Sequence, residues 1–453
     1  MAGIQFPEGF IWGCATSSYQ IEGGVKEDGR GETIWDRYCS IPGNVANGEN
    51  GDVASDHFHR YKEDVALMKE MGMKAYRFSI AWSRILPDGT GAVNEKGIQF
   101  YSNLIDELLA AGIEPYITLY HWDLPQKLQD RGGWMNPDMA EYFLEFSQIC
   151  IDRFGDRVKR WITLNEPYCA AFLGYYEGRQ APGYHDFSAA VLAAYHMYLG
   201  HGLVVKYYRE KGMDGEIGIA LNLMGRLPFS DKPEDVEAAK RADGYLNRWF
   251  IEPIMLGKYP QDMIDFYTSM GVVLPEFKKE DLALMSQPLD FIGLNYYNDF
   301  YVKYSGKVWP LQFAIENPPH SVVNDRNWPV TESGFKRMMK RMKEEYGVDN
   351  IVVTENGTSF HDIVNLNHEV KDDNRRDYLD RHIRVLHDTM EEGVHVTAYF
   401  VWSFYDNFEW SFGYNSRFGI VYVDFNTQER IVKESGRWYS EVIRRNGLES
   451  KKA

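Results

Sequence analysis

A repeated pattern of hydrophobic positions runs along this chain: a stretch with helical spacing ends at a glycine, and a short apolar segment follows. Between Asp56 and Met71, apolar side chains recur every three or four residues. Asp56 is placed to cap this helix, and Gly72 is placed to end it. The apolar segment Ala75–Ile80 then predicts a strand. Such alternation of helix and strand is typical of a parallel sheet.

The same pattern returns three times and predicts further strands. Predicted helices lie at Ile98–Ala111, Leu203–Lys211 and Tyr378–Glu392, each before a glycine. Predicted strands lie at Phe10–Thr16, Glu114–Tyr120, Arg160–Leu164, Ile217–Leu221, Phe291–Leu294, Ile351–Thr354 and Thr397–Trp402. Eight such α/β units suggest a closed (β/α)8 TIM barrel. A doubly wound open sheet remains the alternative from this pattern alone.

The 453 residues contain no segment that resembles a linker, so we expect one domain spanning residues 1–453. Residues beyond a minimal barrel must then lie in long loops at the carboxyl ends of the strands. The largest irregular stretch is Tyr304–Ser333, which is rich in proline and contains Trp309 and Trp328. A long ordered loop on a barrel usually forms a wall of the active-site pocket.

Charge and composition narrow the class of partner. The chain has 49 Lys and Arg against 66 Asp and Glu, a net charge of −17, which disfavours nucleic acids and anionic membranes as partners. No apolar run approaches the roughly 18 residues of a membrane span. Met1–Phe10 lacks the pattern of a secretory signal, so we expect a cytoplasmic protein. The pattern leaves the oligomeric state open.

Cysteine and histidine spacing gives no sign of a bound metal. The 4 cysteines are widely separated and form no CxxC pair, and no HExxH motif occurs. Gly89-x-Gly91 has no third glycine at the spacing of a dinucleotide fingerprint. We therefore predict neither a metal nor an organic cofactor.

Amide, carboxylate and aromatic side chains gather where the predicted strands end, which is the working face of a barrel. Amides and carboxylates exchange hydrogen bonds with hydroxyl groups, and indole faces cover the C–H faces of a sugar ring. The set therefore suits a neutral ligand with many hydroxyls, although strand ends can also be polar simply because they meet water. Its members are Gln20, Arg77, His121, Trp122, Asp123, Asn165, Glu166, Asn222, Asn295, Tyr296, Tyr297, Glu355, Asn356, Trp402, Glu409 and Trp410.

Two glutamates in this set have the properties of a glycosidase pair. Glu166 lies in Thr163–Pro167, and Glu355 lies in Val353–Gly357. Glycoside hydrolysis needs one acid to protonate the leaving oxygen and one carboxylate at the anomeric carbon. Arg77 could keep Glu355 ionised by its charge. Either glutamate taken alone could equally be a structural carboxylate.

Seven sequence blocks occur in a specific order along nearly the whole chain. They are Phe10–Gly23, Tyr76–Ser79, Tyr120–Pro125, Asn165–Pro167, Asn295–Tyr297, Thr354–Gly357 and Asp406–Trp410. In this ordered set the chain resembles glycoside hydrolase family 1, and in particular its bacterial β-glucosidases. A single block would be weak evidence, whereas the ordered set is very specific.

This resemblance implies a retaining β-glucosidase that releases terminal, non-reducing β-D-glucosyl residues. Glu355 would be the nucleophile and Glu166 the general acid/base, with their carboxyl groups about 5–5.5 Å apart. Expected substrates are cellobiose, cello-oligosaccharides, and aryl and alkyl β-glucosides, with β-galactosides and β-fucosides in addition. Because Glu409 would repel a phosphate, we expect substrates without a 6-phosphate.

The resemblance also implies a role for each residue around the pair. Arg77, Asn295 and Tyr297 would support the nucleophile, and Asn165 would reach the sugar 2-hydroxyl. The residues for the remaining hydroxyls would be Gln20, His121, Glu409 and Trp410. Trp402 would form the platform beneath the sugar, and Trp328 a wall on the aglycone side. Tyr168 and Cys169 depart from the family pattern after Pro167, so the aglycone preference stays open.

Two other classes compete with this interpretation. A sugar-binding protein on an inactive barrel would keep the fold without the reaction, and a metal-dependent barrel hydrolase would need ligands that the spacing lacks. An assay with a chromogenic β-glucoside, with and without a chelator, distinguishes the three.

Overall fold

The computed structural model describes residues 3–317 and 319–449, and at its centre eight parallel strands form a closed barrel. In chain order the strands are β1 (Ile11–Ala15), β2 (Ala75–Ser79), β3 (Glu114–Tyr120), β4 (Arg160–Asn165), β5 (Glu216–Asn222), β6 (Phe291–Tyr296), β7 (Ile351–Asn356) and β8 (Val396–Trp402). Strand β8 closes the ring by pairing with β1, where Trp402 lies opposite Ala15. The predicted (β/α)8 barrel is confirmed, and the open sheet is excluded.

Helices connect the strands and surround the barrel. The α-helices of the described residues are Ser18–Ile21, Ile34–Cys39, His57–Glu70, Trp82–Ile85, Glu95–Ala110, Gln126–Gln129, Met139–Phe154, Phe187–Glu210, Pro233–Asp243, Trp249–Leu256, Gln261–Ser269, Lys279–Met285, Glu332–Tyr346, Asp373–Glu391 and Glu434–Arg445. Two π-helical turns, Cys169–Leu173 and Gly244–Arg248, follow β4 and β5. The longest connections lie at the carboxyl ends of the strands, as expected for a barrel whose site is at that face.

The four predicted helices occur, and their glycine ends are as expected. Gly72 and Gly393 adopt left-handed φ angles of 84° and 91°, which a residue with a Cβ rarely tolerates. The predicted cap at Asp56 is wrong. Asp56 has a left-handed φ of 52° and makes no capping bond to the backbone; its carboxylate contacts His59 and Arg60 instead.

The helix predicted at Leu203–Lys211 is much longer and begins at Phe187. It is the one helix of the described ranges whose length and mean hydropathy of 1.2 would allow it to cross a membrane, which the count of apolar runs missed. However, 78% of its apolar window is buried inside the protein, as in the core helix of a globular domain. Because the helix is apolar on nearly every face, the helical period is hidden along its first half.

The stretch predicted to be irregular contains more order than expected. Phe313–Ile315 pairs antiparallel with Phe300–Tyr304, and Arg226–Pro228 completes a three-stranded sheet. Pro318, which falls in the predicted stretch, lies outside the described residues. Trp328 lines the cavity, whereas Trp309 is half exposed on the surface. Of these two tryptophans, only Trp328 forms part of the pocket wall that was predicted.

The barrel interior is filled by side chains and so places the site at its mouth. This inner cluster combines small residues such as Ala15 and Ala75 with large ones such as Tyr116 and Phe400. A Cβ at Gly13 would come within 2.6 Å of the Phe400 ring, so the glycine makes room for that ring. Tyr116 packs against the same ring, with the ring centres 4.8 Å apart. A ligand therefore meets a solid floor at the carboxyl ends of the strands.

Candidate active site

A cavity of about 340 Å³ opens at the carboxyl ends of the barrel strands. It brings together many of the side chains predicted from sequence, although they lie far apart along the chain. Those that line it are His121, Glu166, Asn222, Tyr297, Trp328, Glu355, Trp402, Glu409 and Trp410. Gln20, Arg77, Asn165 and Asn295 lie directly behind them and are joined to them by hydrogen bonds.

Glu355, on β7, is held by one cation and one phenol. Arg77 Nη1 lies 2.5 Å from Oε1, and the Tyr297 hydroxyl donates to Oε2 at 2.6 Å. Arg77 is fully buried, so this ion pair is shielded from solvent. Burial and the charge of Glu355 raise the pKa of Tyr297, which keeps its proton for this hydrogen bond. Glu355 thus presents a carboxylate whose two oxygens are oriented by β2 and β6.

Glu166 follows the last residue of β4 and has different neighbours. Asn295 Nδ2 donates to Oε1 at 2.7 Å, and the Cys169 thiol donates to Oε2 at 3.0 Å. Burial and the negative charge of Glu355 raise the pKa of Glu166, and the bonds from Cys169 and Asn295 only partly oppose this. The protonated form of Glu166 is therefore favoured, as a general acid requires.

The backbone at Glu166 is strained, because its φ of 45° lies in the left-handed region. A hydrogen bond from its N–H to the Ala220 carbonyl, at 2.9 Å, holds it there. Trp122 and Trp410, also at the cavity, have φ angles of 77° and 54°. The strained conformation turns the carboxyl group into the cavity at the point where β4 ends.

A chain of hydrogen bonds connects the two glutamates behind the cavity. Arg77 Nη2 donates to Asn165 Oδ1 at 2.6 Å, and Asn295 Nδ2 contacts the same oxygen at 2.9 Å. Asn295 lies beside Glu355 in the strand register, but its amide bonds to Glu166. Within the described residues the Asn295 amide makes no hydrogen bond to Glu355, so its expected support of the nucleophile stays a prediction. The amide instead orients the other glutamate.

Glu409 lies across the cavity and receives two donors. Gln20 Nε2 is 3.3 Å from Oε2, and Arg326 Nη1 is 3.2 Å from Oε1. Burial raises the pKa of Glu409 to about 7, although Arg326 acts against it, while the charge of Glu355 adds to the rise. A carboxyl group in this state can accept or donate hydrogen bonds to hydroxyls.

His121 lies between two indole rings and is neutral. Its ring stacks on Trp402 and Trp410, with centres 5.9 and 6.0 Å apart. Burial and the charge of Arg77 lower the pKa of His121 well below its usual value. Nε2 is 3.1 Å from the Asn165 amide, whereas Nδ1 has no partner among residues 3–317 and 319–449. A neutral imidazole at this position can exchange hydrogen bonds with a ligand.

Sequence reasoning did not assign two side chains that contact the predicted glutamates. Cys169 comes three residues after Glu166 on a π-helical turn, and this spacing is a signal that could have placed its thiol there. Arg326 lies in the irregular stretch between β6 and its following helix, where no periodicity indicates direction. Its contact with Glu409 depends on a loop path that is set by long-range packing.

The described part of the chain contains no cluster of three or more His, Cys, Asp or Glu side chains suited to a metal ion. The four cysteines are free and buried.

A closed (β/α)8 barrel whose mouth holds two glutamates among indoles and amides is the arrangement of a glycoside hydrolase. The chain belongs to glycosyl hydrolase family 1, whose family model matches residues 2–448.

Named relatives and solved structures agree over the full chain. Beta-glucosidase A of Acetivibrio thermocellus is 46% identical over 453 residues, covering 99% of this chain and 100% of the relative. A 1,4-beta-D-glucan glucohydrolase of Thermotoga neapolitana is 46% identical over 446 residues, covering 98% and 99%. The family 1 β-glucosidase of Thermotoga maritima in complex with isofagomine lactam superposes with a TM-score of 0.95 at 46% identity, covering 98% of this chain and 100% of that one.

Proposed function

We propose that this chain is a retaining β-glucosidase that releases terminal, non-reducing β-D-glucosyl residues in two steps. The observation that carries the proposal is the pair Glu166 and Glu355, which line one cavity in unlike surroundings. A retaining mechanism needs one ionised carboxylate and one protonated carboxyl group about 5–5.5 Å apart.

In the first step, Glu355 attacks the anomeric carbon while Glu166 donates its proton to the leaving oxygen. The glycosidic bond breaks, and a covalent glycosyl ester forms on Glu355. The ion pair with Arg77 and the hydrogen bond from Tyr297 favour an ionised Glu355 before the attack.

In the second step, Glu166 acts as a base on water. The ester on Glu355 carries no charge, so the repulsion that helps to raise the pKa of Glu166 disappears once the intermediate has formed. Glu166 can then accept the proton of the water that attacks the anomeric carbon. The bond between the anomeric carbon and Glu355 breaks, the Glu355 carboxylate is restored, and the sugar leaves with its original β configuration.

The side of the cavity opposite Glu166 would hold the sugar. Gln20, His121 and Glu409 offer hydrogen bonds to its hydroxyls, while Trp402 and Trp410 offer indole faces. Arg326 is already engaged by Glu409, so it is not free to bind a 6-phosphate. We therefore favour substrates without a phosphate.

The relatives support the same substrate class, because they are named as a β-glucosidase and a β-glucan glucohydrolase. On this chain we propose cellobiose, cello-oligosaccharides, and aryl and alkyl β-glucosides as substrates. β-Galactosides and β-fucosides, which differ from glucosides at one or two positions of the ring, would be hydrolysed as well.

Hydrolysis of chromogenic β-glucoside, β-galactoside, β-fucoside and 6-phosphoglucoside tests this assignment. Glu355→Gly should abolish turnover of all substrates and leave the fold intact by circular dichroism, whereas Glu210→Gly, at a side chain that is 67% exposed, serves as the matched control. Proton NMR of the wild-type reaction should show β-glucose first. An α-anomer released first would contradict the mechanism, and loss of activity with a chelator would indicate a metal-dependent hydrolase.

A further inference from the structure

Arg226 lies in the cavity wall and makes no direct ion pair with a carboxylate among the residues that the structure describes. It begins the short strand Arg226–Pro228, which follows β5. Its guanidinium lies over the Phe300 ring, 5.0 Å from the ring centre. Nη1 is buried and has no hydrogen-bond partner in the part of the chain that the structure describes. Burial lowers the pKa of Arg226, but an arginine remains charged in a protein.

Other arginines that are buried, or that share this cavity, have carboxylate partners. In the cavity, Arg179 pairs with Glu177 and Arg326 pairs with Glu409. The fully buried pairs elsewhere are Arg77–Glu355, Arg84–Glu22 and Arg375–Asp372. A buried charge without a partner is strongly unfavourable. Asp299 and Asp243 act on Arg226 only at a distance and are paired with Arg337 and Arg341 instead. Arg226 is therefore placed to form a direct ion pair with a negative group of a ligand.

The position of Arg226 assigns it to the leaving-group side of the cavity. Arg226 follows β5, whereas Gln20, one of the residues proposed to bind the sugar, follows β1. Strands β5 and β1 lie opposite each other in the ring of eight strands, so Arg226 lies across the barrel from Gln20. The cavity wall next to Arg226 is formed by Tyr168, Leu246 and Phe300. This half of the cavity therefore combines aromatic and aliphatic surface with one cation that makes no direct ion pair within the described residues.

We propose that Arg226 makes this half of the cavity a binding site for an aglycone that carries a carboxylate on an aromatic ring. The proposal rests on the proposed β-glucosidase function and names the leaving-group class. The planar guanidinium matches the two oxygens of a carboxylate, and such a charge-assisted contact is stronger than one to a neutral hydroxyl. The aromatic walls accommodate the aryl ring.

A neutral aglycone such as a second glucose unit would leave Arg226 without a direct ion pair. Its hydroxyls could accept one hydrogen bond from the guanidinium, but they carry no negative charge. The two aglycone classes therefore differ in one property, the charge that faces Arg226, and this property can be tested with ligands of equal size.

The test compares 4-carboxyphenyl and 4-carbamoylphenyl β-D-glucosides and their sulfur-linked analogues, which bind without being cleaved. We expect the wild type to bind the carboxylate thioglucoside about tenfold more tightly than the carboxamide, the size of one charge-assisted hydrogen bond. Arg226→Met should reduce this ratio to about one. In Arg226→Met, the kcat/KM of the oxygen-linked carboxylate relative to that of the oxygen-linked carboxamide should fall by the same factor. The acidity of each leaving group does not depend on the variant, so it cannot cause this change.

Arg179→Met is the matched control, because Arg179 lines the same cavity but is 56% exposed and already paired. It should change the ratio by no more than about threefold. If Arg226→Met does not fold, Arg226→Gln replaces it.

The wild type alone can overturn the proposal: equal or weaker inhibition by the carboxylate compound rejects it whatever the variants do. A preference that survives in Arg226→Met rejects the role of Arg226. If both aryl glucosides are hydrolysed without discrimination, only this inference fails. If neither is hydrolysed and neither thioglucoside binds, the proposed function itself fails.

Discussion

Neighbouring side chains give Glu166 and Glu355 opposite properties although they are the same amino acid. Glu355 receives a guanidinium and a phenol, which favour its negative charge. Glu166 receives an amide and a thiol, and its buried position beside another carboxylate favours the proton. Unlike surroundings of this kind allow two carboxyl groups of one site to take different roles.

The charge of Glu355 can be tested directly on Glu166. In Glu355→Gln the negative neighbour is gone, so the pKa of Glu166 should fall towards that of an ordinary glutamate. Carbon-13 NMR of labelled glutamate carboxyl groups would follow this titration. Glu210→Gln should leave the Glu166 titration where it is, and an unchanged or higher pKa in Glu355→Gln would show that the two groups do not interact.

The Cys169 thiol should set the upper end of the pH range. Its hydrogen bond to Glu166 stabilises the carboxylate and lowers the pKa, so Cys169→Ala should raise that pKa. Because Glu166 works as an acid only while protonated, the alkaline limb of kcat/KM should move to higher pH. Cys169→Ser restores a donor and should move the limb back. Cys150→Ala, at a buried cysteine in the helix Met139–Phe154, should have no effect on the limb.

At the scale of elements, the end of β7 is fitted closely against β8. Gly357 follows the last residue of β7, and a Cβ there would lie 1.8 Å from the Trp402 backbone carbonyl oxygen. Two residues earlier on the same segment is Glu355. The absence of a side chain at Gly357 therefore fixes the position of Glu355 relative to the indole at the end of β8.

Gly357→Ala should damage stability and activity together. The clash is with backbone, which cannot rotate away, so β7 must shift and the free energy of unfolding should fall by about 1–3 kcal/mol. A displacement of about 1 Å at Glu355 should lower kcat by about 100-fold. Gly306→Ala is the comparison, since its Cβ would meet only the tip of the Tyr304 side chain at 3.0 Å. Wild-type kcat in Gly357→Ala would contradict this account.

The spacing of apolar residues predicted the secondary structure well in two cases: where one face of an element is buried, and where a short strand is apolar along its whole length. All eight barrel strands lie within about two residues of prediction, because each is a short apolar run that ends in polar residues. The first half of Phe187–Glu210 was missed because it is apolar on nearly every face. The strand Phe313–Ile315 was missed because its pairing with Phe300–Tyr304 depends on a long loop rather than on local pattern.

The sequence predicted which residues form the site and at which strand ends they lie, but it did not predict which side chains they contact. The positions of Glu166 and Glu355 follow from strand ends, whereas the choice of Asn295 for Glu166 rather than Glu355 depends on where an amide turns. The unpaired state of Arg226 has no signal in sequence at all, because it depends on which carboxylates are absent around it.

At the scale of the whole molecule, a buried charge cluster connects three distant segments. Lys433, fully buried before the last helix, contacts Asp362 from the segment after β7 and Asp406 from the segment after β8. Burial opposes ionisation of Asp362, but Lys433 and Arg375 outweigh it and hold its pKa below the usual value. Asp406 precedes Glu409 by three residues, so this cluster also supports the cavity wall.

Lys433→Met should remove one of the two cations that each buried carboxylate contacts, leaving Asp362 with Arg375 and Asp406 with Arg417, and lower the free energy of unfolding by about 3 kcal/mol. Lys206→Met, at a side chain that is 55% exposed, should change it by less than about 1 kcal/mol. Because the pKa of Asp362 is lowered by folding, its stabilisation is present above the unfolded pKa near 4 and is lost as the pH falls. Urea unfolding at several pH values should therefore show the difference between wild type and Lys433→Met shrinking in acid.

The pairing of β8 with β1 has a consequence for the nascent chain during translation. The ribosome synthesises residues 11–15 of β1 early. Their pairing partner in β8, residues 398–402, is synthesised about 20–80 s later at ordinary rates of translation. Throughout that interval one edge of the sheet is open to any passing strand. A chain whose synthesis stops before the eighth strand therefore contains an unclosed sheet that is prone to aggregation. Rare codons late in the gene should reduce the yield of soluble protein more than rare codons early in the gene.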